Sequence, residues 1–453
     1  MATTTVDAVV LGMGPGGEMV AGALADAGLE VVGIDQRLAG GECPYWGCIP
    51  SKIMIRAADA LAEAGRVDQL AGHADVTPDW APVAERVREA TSGWDDTAAV
   101  ERFEDRGGTF VRGRGRLVGP RAVEVGDRTF EARRAVVVAT GTEPAVPPID
   151  GLADTPFWTN REAIEAKDLP GSLVVLGGGA IGVELAQAFA RFGVVVTVVE
   201  GEDQLVPAED PAVAEVLAEV FEDEGITVRT GTRAETVDHR DGRFVIGLDD
   251  GTTLGADQLL VATGRSVDLS GIGAGAIGCD EDAKTLPVDE HLRVTDGVWA
   301  VGDVTGKGAF THVATYQATI AAADILGNGH EPADYAAVPR VTYTDPEIGS
   351  VGRTEQAARD AGHDVAVGVA SLPTTSRGFI HGPGNDGTIR LVADRATGTL
   401  VGATAMGPNG GEVLGLLTLA VHARVPIAQL RTMIPAFPTF HRGIQDALDD
   451  LGI

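Results

Sequence analysis

The chain has 453 residues, a length that fits about three domains with full hydrophobic cores. Its formal net charge of -31 disfavours nucleic acid or an anionic membrane as a partner, because the field of the protein would repel a polyanion. Residues 6–11 run directly into Gly12 as a buried strand would, so we expect no targeting leader, and no apolar run reaches the length of a membrane span. These features predict a cytoplasmic protein.

A dinucleotide fingerprint opens the chain. Gly12, Gly14 and Gly17 match the pattern Gly-x-Gly-x-x-Gly directly after the first apolar strand. A helical pattern follows, and the next apolar strand ends in Asp35, 18 residues after Gly17 (35 minus 17). Such glycines permit a tight turn and a close backbone approach to a pyrophosphate, and the acid accepts hydrogen bonds from a ribose. The segment therefore predicts a dinucleotide-binding fold.

Two cysteines, Cys43 and Cys48, follow with four residues between them. Pro50 suits the first turn of a helix, which would place Cys48 at the positive end of the helix dipole, where a thiolate is favoured. The alternative is a pair of buried thiols or a structural disulfide. The only other cysteine is Cys279, for which we expect an ordinary small apolar role, and nothing indicates secretion. The spacing favours a redox-active pair.

The fingerprint occurs a second time. Gly177, Gly179 and Gly182 follow the apolar run 173–176, and Glu200 closes the next strand 18 residues after Gly182 (200 minus 182). One such motif is a weak signal, but two with strand, helix and acid in register predict two dinucleotide folds.

Three more strand-then-turn patterns lie at 136–142, 259–265 and 297–303. Prolines after the first indicate a crossing between domains. From Pro339 the pattern changes to alternating segments at 388–392 and 400–405 and a helical stretch at 412–423, which predicts an α+β domain.

We therefore predict an α/β chain with two Rossmann-like domains and an α+β C-terminal domain. The first domain would comprise residues 1–145 and 266–335. The second, residues 146–265, would be inserted into it, and residues 336–453 would form the third.

Together these motifs resemble the class I pyridine nucleotide-disulfide oxidoreductase family, which includes lipoamide dehydrogenase, glutathione reductase and mercuric reductase. The resemblance covers essentially the whole chain, and residues 343–352 resemble the opening of the family's dimerisation domain. It implies that 1–145 with 266–335 binds FAD, that 146–265 binds a nicotinamide nucleotide, and that 336–453 forms a homodimer.

The resemblance also implies roles for individual residues. Electrons would pass from NAD(P)H to FAD, then to the Cys43/Cys48 disulfide and on to the substrate, with Cys48 facing the flavin and Cys43 attacking the substrate. Lys52 and Glu184 would pair near the flavin N5, where charge must be balanced. The expected FAD contacts are Gly12, Gly14, Gly17, Asp35 and Asp303, and the expected nicotinamide nucleotide contacts are Gly177, Gly179 and Gly182. Further cofactor contacts are expected at Gly41, Thr140, Gly141, Glu200, Gly264, Arg265 and Gly302.

Glu200 would accept hydrogen bonds from both ribose hydroxyls and repel a 2′-phosphate, so NADH is favoured over NADPH. Arg229, Arg233 or Arg265 folding toward the phosphate would reverse that preference.

Near the C-terminus the sequence departs from the family pattern. Most members carry a His-Pro-x-x-x-Glu segment that completes the active site of the partner subunit, with the histidine as general acid and base. Here Phe437 replaces the histidine and Arg442 replaces the glutamate. A benzene ring cannot carry a proton, so the usual proton donor is missing. Phenylalanine at this position resembles 2-ketopropyl-coenzyme M oxidoreductase/carboxylase, although that enzyme has a histidine at the glutamate position, and here His441 lies one place earlier.

Three functions stay open. The favoured one is reductive cleavage of an organic disulfide or thioether, with a proton taken from His441, His422, Tyr45 or water. The alternatives are a reductive carboxylase and a redox-sensing flavoprotein that does not turn over. Mercuric reduction is disfavoured because residues 448–453 contain no cysteine pair. Five further histidines are isolated in the sequence, so we expect no metal site: His73, His239, His291, His330 and His363.

Overall fold

The computed structural model describes residues 2–453, which divide into two compact units. The first contains the chain up to Pro50, Val87–Ala145 and Arg265–Tyr335, and the second contains Ser51–Arg86, Val146–Gly264 and Ala336–Ile453. The finer division into 1–145, 146–265, 266–335 and 336–453 stays a prediction.

The first unit is built on an eight-stranded sheet with a parallel centre. Its main path runs Arg293–Thr295, Val298–Ala300, Arg128–Val138, Ala2–Leu11, Val31–Asp35, Thr109–Arg112. The antiparallel strands Gly115–Gly119 and Ala122–Val125 extend from Arg128–Val138, and Glu143–Pro144 pairs with Arg265–Ser266 in a small separate ribbon. The helices of this unit are Pro15–Asp26, Glu42–Tyr45, Thr97–Glu104 and Thr311–Leu326.

Both faces of this sheet are covered. Along strand Ala2–Leu11, Val9 and Leu11 pack into one hydrophobic cluster, whereas Ala8 and Val10 pack into another on the opposite face. A strand buried on both faces is apolar throughout, which explains the uninterrupted apolar run that precedes Gly12.

The second unit contains a four-stranded parallel sheet in the order Thr227–Arg229, Val195–Val199, Ser172–Leu176, Gln258–Val261. An antiparallel sheet of Ala234–Arg240, Arg243–Leu248 and Thr253–Ala256 accompanies it. The helices in this part are Asn160–Glu165, Ala180–Arg191 and Pro211–Asp223.

The C-terminal part of the second unit is a five-stranded antiparallel sheet in the order Pro339–Thr342, Glu347–Gly352, Thr399–Gly407, Thr388–Asp394, Val365–Ser371. Its helices are Glu355–Asp360, Ser376–His381, Gly410–His422, Ile427–Arg431 and Gly443–Asp450. The helix predicted at 412–423 therefore begins two residues earlier, at Gly410, where Glu347 accepts a hydrogen bond from the Gly411 backbone N–H.

Two helices, Cys48–Arg66 and Ala81–Ala90, run across the boundaries of the two units along the chain. Short 3-10 turns lie at Val67–Gln69, Ser92–Trp94, Leu152–Asp154, Ala274–Ile277, Asp303–Thr305, Leu372–Thr374 and Phe440–Arg442. Across residues 2–453, no helix combines the length and the apolar character needed to cross a bilayer. The predicted fold class, α/β with an α+β C-terminal part, is confirmed.

Candidate active site and cofactor sites

The first fingerprint forms a tight turn from strand to helix. Gly12 has φ +98°, and a Cβ built there would lie 2.3 Å from the carbonyl oxygen of Ala139, so only glycine fits. Gly14 is extended (φ -73°, ψ -177°) and helix Pro15–Asp26 begins after it. Asp35 accepts hydrogen bonds from the backbone N–H groups of Met13 and Arg37, each at 2.8 Å. The turn therefore directs a helix N-terminus and an acid toward one place, the arrangement that binds a dinucleotide.

Burial raises the pKa of Asp35, and the two backbone donors partly oppose that shift. A carboxylate in this position gains from further donors, and ribose hydroxyls are donors of the right kind.

A cavity of about 250 Å³ lies next to this turn. Four residues predicted to contact a cofactor line it: Gly12, Asp35, Thr140 and Gly141. Gly14 borders Gly41, since a Cβ on Gly41 would lie 2.7 Å from the Gly14 Cα. These residues fit the dinucleotide that the sequence predicts for the first unit.

The second fingerprint repeats the first in the second unit. Gly177 has φ +108°, and a Cβ there would lie 2.4 Å from the carbonyl oxygen of Ala262. Gly179 has φ -73° and ψ 178°, and Gly182 lies in the first turn of helix Ala180–Arg191. Glu200 is buried and accepts the backbone N–H of Gly178 at 2.5 Å, as Asp35 accepts that of Met13.

The groups near Glu200 are already engaged in hydrogen bonds or ion pairs. Its second oxygen accepts the N–H of Glu202 at 2.8 Å. Of the arginines that could favour a phosphate, Arg229 lies 3.5 Å from Asp250 and Arg233 lies 3.5 Å from Glu202. Each of these two guanidinium groups already has a carboxylate partner.

Arg265, Thr142 and Asp303 form a hydrogen-bonded chain in the first unit. Arg265 Nε donates to Thr142 Oγ1 at 2.6 Å, and that hydroxyl donates to Asp303 Oδ2 at 3.0 Å. Burial raises the pKa of Asp303, opposed by the Thr142 hydroxyl and the Arg265 charge. Gly264 and Gly302 precede Arg265 and Asp303, and both have positive φ (+122° and +83°). Arg265 is therefore anchored within the first unit.

The cysteine pair lies at the start of a helix. Helix Cys48–Arg66 begins at Cys48, with Pro50 in its first turn, whereas Cys43 lies in the four-residue helix Glu42–Tyr45. Both cysteines are reduced thiols, Cys43 half-buried and Cys48 exposed. Cys48 Sγ lies 3.4 Å from Thr311 Oγ1. A hydrogen bond to Cys48 and burial together raise the pKa of the Cys43 thiol far above its usual range, so Cys43 retains its proton strongly while the pair is reduced.

Lys52 follows Cys48 by one turn of the same helix, and in the second unit it forms an ion pair with Glu184. Lys52 Nζ lies 2.7 Å from Glu184 Oε2, and Glu184 Oε1 accepts the backbone N–H of Tyr343 at 2.8 Å. The Lys52 ammonium also lies over the Tyr343 ring, 4.6 Å from its centroid. Because the Glu184 side chain is only 7% exposed, this ion pair is largely desolvated on its acidic side.

The C-terminal segment that contains Phe437 is exposed in the single chain. Phe437 is 71% exposed and Ile434 is 94% exposed. His441 and Arg442 are half-buried in the turn Phe440–Arg442, and Arg442 Nη1 donates to Asp446 at 2.9 Å. Two large apolar side chains in solvent suit a surface that a partner subunit covers.

Sequence reasoning missed Thr311, Tyr343 and Thr142 as members of these sites. The expectation that the five histidines are isolated is wrong for His291 and His330, whose ring centroids are 5.0 Å apart; His330 Nε2 also lies 3.4 Å from Asp324. Only the contacts in the folded chain reveal such partners. Cys279 is half-buried against the hydrophobic core of the first unit.

Residues 6–318 match the family model described as pyridine nucleotide-disulphide oxidoreductase, and residues 338–448 match the dimerisation domain of the same family. The chain belongs to the pyridine nucleotide-disulphide oxidoreductase family. This confirms the predicted family and makes the protein an FAD-dependent oxidoreductase.

Three relatives illustrate the range of this likeness. The chain is 34% identical to a dihydrolipoyl dehydrogenase of Halobacterium salinarum, covering 99% of this chain and 96% of the relative. It is also 34% identical to a mercuric reductase of Acidithiobacillus ferrooxidans, covering 96% and 80%. Among solved structures, a Cu(II) complex of the HOCl-induced flavoprotein disulfide reductase RclA from Escherichia coli superposes with a TM-score of 0.86 at 26% identity, covering 98% and 99%.

Proposed function

We propose that the protein is a cytoplasmic, homodimeric reductase that takes electrons from NADH through FAD and uses Cys43 and Cys48 to cleave an organic sulfur substrate. The hydrogen-bonded thiol pair at the start of helix Cys48–Arg66 is the observation that carries this proposal. FAD would supply the redox chemistry between nicotinamide and disulfide. Gly12, Asp35 and the 250 Å³ cavity would hold its adenosine half.

The chain's own residues would perform the sulfur chemistry. Cys43, whose raised pKa holds the proton while the pair is reduced, releases that proton to water as its sulfur attacks one sulfur of the substrate. A mixed disulfide forms, and the first substrate thiolate leaves. The Cys48 thiolate then attacks the Cys43 sulfur, which restores the Cys43/Cys48 disulfide and releases the second thiolate. Thr311, whose hydroxyl lies 3.4 Å from Cys48 Sγ, orients the resolving sulfur. Lys52 and Glu184 hold a balanced charge one helical turn further on.

Phe437 limits which substrates this chemistry serves well. In the proposed dimer the position that carries the general acid in most of the family presents a benzene ring, so a departing thiolate takes its proton from water. Thiolates that leave without prior protonation, those of low pKa, depart fastest under these conditions. We therefore propose activated disulfides, such as aromatic ones, as the substrate class, and alkyl disulfides as poor substrates.

Glu200 supports NADH as the electron donor. Its buried carboxylate accepts two backbone N–H groups and would repel a 2′-phosphate, and Arg229 and Arg233 are already paired with carboxylates.

A second candidate substrate is a thiophilic metal ion. The oxidation of two thiolates to a disulfide can reduce Hg(II) to Hg(0), or two Cu(II) to two Cu(I), and neither reaction has a leaving thiolate that must be protonated. Two relatives point the same way, the mercuric reductase and the RclA protein seen as a Cu(II) complex. Against this candidate, the C-terminal residues 448–453 lack a cysteine pair that would deliver the metal.

The test is NADH oxidation by the FAD-loaded enzyme with an aromatic disulfide, lipoamide, glutathione disulfide, Cu(II), and a ketoalkyl thioether with and without bicarbonate. We expect the aromatic disulfide to turn over at least 100-fold faster than lipoamide in the wild type. Phe437→His should raise lipoamide turnover by 10-fold or more, whereas Phe437→Leu, which cannot carry a proton, should not. Equal rates on both disulfides in the wild type would overturn the proposed substrate class.

Other outcomes identify the alternatives. Thioether turnover that depends on bicarbonate would replace the proposal with a reductive carboxylase. Turnover with Cu(II) but with no sulfur substrate would select metal reduction. Failure to pass electrons to any of these acceptors, with slow reduction by NADH, would make the protein a redox sensor.

A further inference from the structure

Three side chains with metal-ligating atoms meet in the first unit, in a region that contains no part of the cysteine pair. His291 lies in a loop that Asp289 stabilises. The Asp289 carboxylate accepts the backbone N–H groups of His291 and Arg293 at 2.9 Å each. Asp324 lies in the last turn of helix Thr311–Leu326, and His330 follows that helix. One ring nitrogen of each histidine and one Asp324 oxygen all lie within 4.8 Å of one another.

The two ring nitrogens of His330 have different neighbours. His330 Nδ1 lies 3.0 Å from the carbonyl oxygen of Glu331, which can only accept, so Nδ1 carries the hydrogen. Its other ring nitrogen, Nε2, lies 3.4 Å from Asp324 Oδ1. Nδ1 of His291 is buried and has no hydrogen-bond partner among the described residues. The cluster thus places a buried ring nitrogen that has no partner among the described residues beside a carboxylate held by Arg293 and Trp299.

We infer that His291, Asp324 and His330 form a binding site for a borderline divalent cation of the Zn²⁺ type. Ligand atoms about 2.0–2.1 Å from a tetrahedral zinc ion lie about 3.4 Å apart, which is the observed separation between His330 Nε2 and Asp324 Oδ1. That distance is longer than an ordinary hydrogen bond. The His291 ring nitrogen, within 4.8 Å of the other two ligand atoms, would supply the third ligand, and water would fill the fourth position.

The surroundings of the cluster match those of protein metal sites. Ligating histidines usually donate their second nitrogen to a carbonyl, as His330 does, and ligating carboxylates are held by further donors. Asp324 is held by Arg293 through Nε at 2.5 Å and Nη2 at 2.7 Å, and by Trp299 Nε1 at 2.8 Å. All three ligands are half-buried, so an ion can enter from solvent.

Nearby charges both favour and oppose the binding of a cation beside Asp324. The negative end of the helix dipole favours a cation beside Asp324, and the last turn of helix Thr311–Leu326 has no basic residue. The Arg293 guanidinium opposes the cation by neutralising part of the Asp324 charge. Without the metal, a protonated His330 would complete an Arg293–Asp324–His330 ionic cluster, which is the competing explanation of the geometry.

Equilibrium dialysis against Zn²⁺ tests the inference, with the FAD-loaded enzyme first stripped by chelator and kept oxidised so that Cys43 and Cys48 cannot bind the ion. We expect one zinc per chain and a higher unfolding temperature with zinc. His291→Gln and His330→Gln should each weaken binding at least 10-fold and abolish the thermal shift. His363→Gln is the matched control, because His363 pairs with Asp394 at 3.2 Å and belongs to no such three-residue group, so its zinc binding should equal that of the wild type.

NADH-dependent flavin reduction and circular dichroism show that each variant is folded. Absence of stoichiometric zinc in the wild type would overturn the inference in favour of the ionic cluster. Equal binding by the His291 and His330 variants would overturn it as well, because the ion would then lie elsewhere.

Discussion

Glu184→Gln should remove the charge that pairs with Lys52 while almost preserving the shape of the side chain. Glu184 now accepts from Lys52 Nζ at 2.7 Å and from the Tyr343 N–H at 2.8 Å through separate oxygens. Glutamine has one acceptor oxygen, so one of these donors would face an amide NH₂ group. Leaving a buried donor without an acceptor costs about 1–3 kcal/mol. Because the Lys52 side chain is 33% exposed, water recovers part of that loss, and we expect about 2 kcal/mol.

Two measurements follow from that value. For a chain of this length, about 2 kcal/mol lowers the unfolding temperature by about 2 °C. If the pair positions charge for hydride transfer, the same free energy slows flavin reduction by NADH up to about 30-fold in anaerobic stopped-flow experiments.

Glu209→Gln is the control. Glu209 is another buried glutamate with several donors, Arg340 at 2.6 and 2.9 Å and Ser350 at 2.7 Å. Its substitution should lower the unfolding temperature comparably and leave flavin reduction unchanged. The reasoning fails if NADH reduces the flavin of the Glu184→Gln variant at the wild-type rate. It also fails if Glu209→Gln slows flavin reduction as much as Glu184→Gln does.

Three further predictions concern single groups. Cys43→Ser should keep a long-wavelength charge-transfer band with FAD, and Cys48→Ser should lose it; absorbance spectra showing the opposite pattern would exchange the two roles. Glu200→Gln should shift the ratio of kcat/KM for NADH over NADPH about 10-fold toward NADPH, about 1.4 kcal/mol for one removed charge, and an unchanged ratio would exclude Glu200 from nucleotide selection. Burial raises the pKa of Asp303, so folding favours the protonated carboxyl group over the charged one. The stability that this group contributes is fully present below about pH 4 and is lost as the pH rises through the folded-state pKa. Apo Asp303→Asn should therefore unfold at a higher temperature than apo wild type at pH 7 and at a similar temperature at pH 4, and equal unfolding temperatures at both pH values would contradict this.

The features that could be predicted from sequence are those set by neighbours along the chain. Gly12, Gly14 and Asp35 lie within one strand-turn-helix-strand unit, so glycine spacing and apolar runs were enough to locate the turn and the acid. The start of helix Cys48–Arg66 was likewise indicated by Pro50.

Contacts that close over long stretches of chain could not be predicted. Tyr343 meets Glu184 across 159 positions, and Thr311 meets Cys48 across 263. Neither tyrosine nor threonine carries a local pattern that reports its partner, because tertiary packing alone brings the groups together. The meeting of His291 and His330 was missed for the same reason.

The near-identical geometry of the two fingerprints has a consequence for how the protein tells its two ligands apart. Gly14 and Gly179 share φ -73°, and the acid of each motif accepts the backbone N–H that follows the first glycine. FAD and NAD(P)H both contain adenosine diphosphate, so in the proposed binding mode these turns recognise what the two molecules have in common. Discrimination must therefore arise at the other half of each ligand, where isoalloxazine and nicotinamide differ. Exchange of the two glycine motifs should then leave the assignment of flavin and nicotinamide to their domains unchanged.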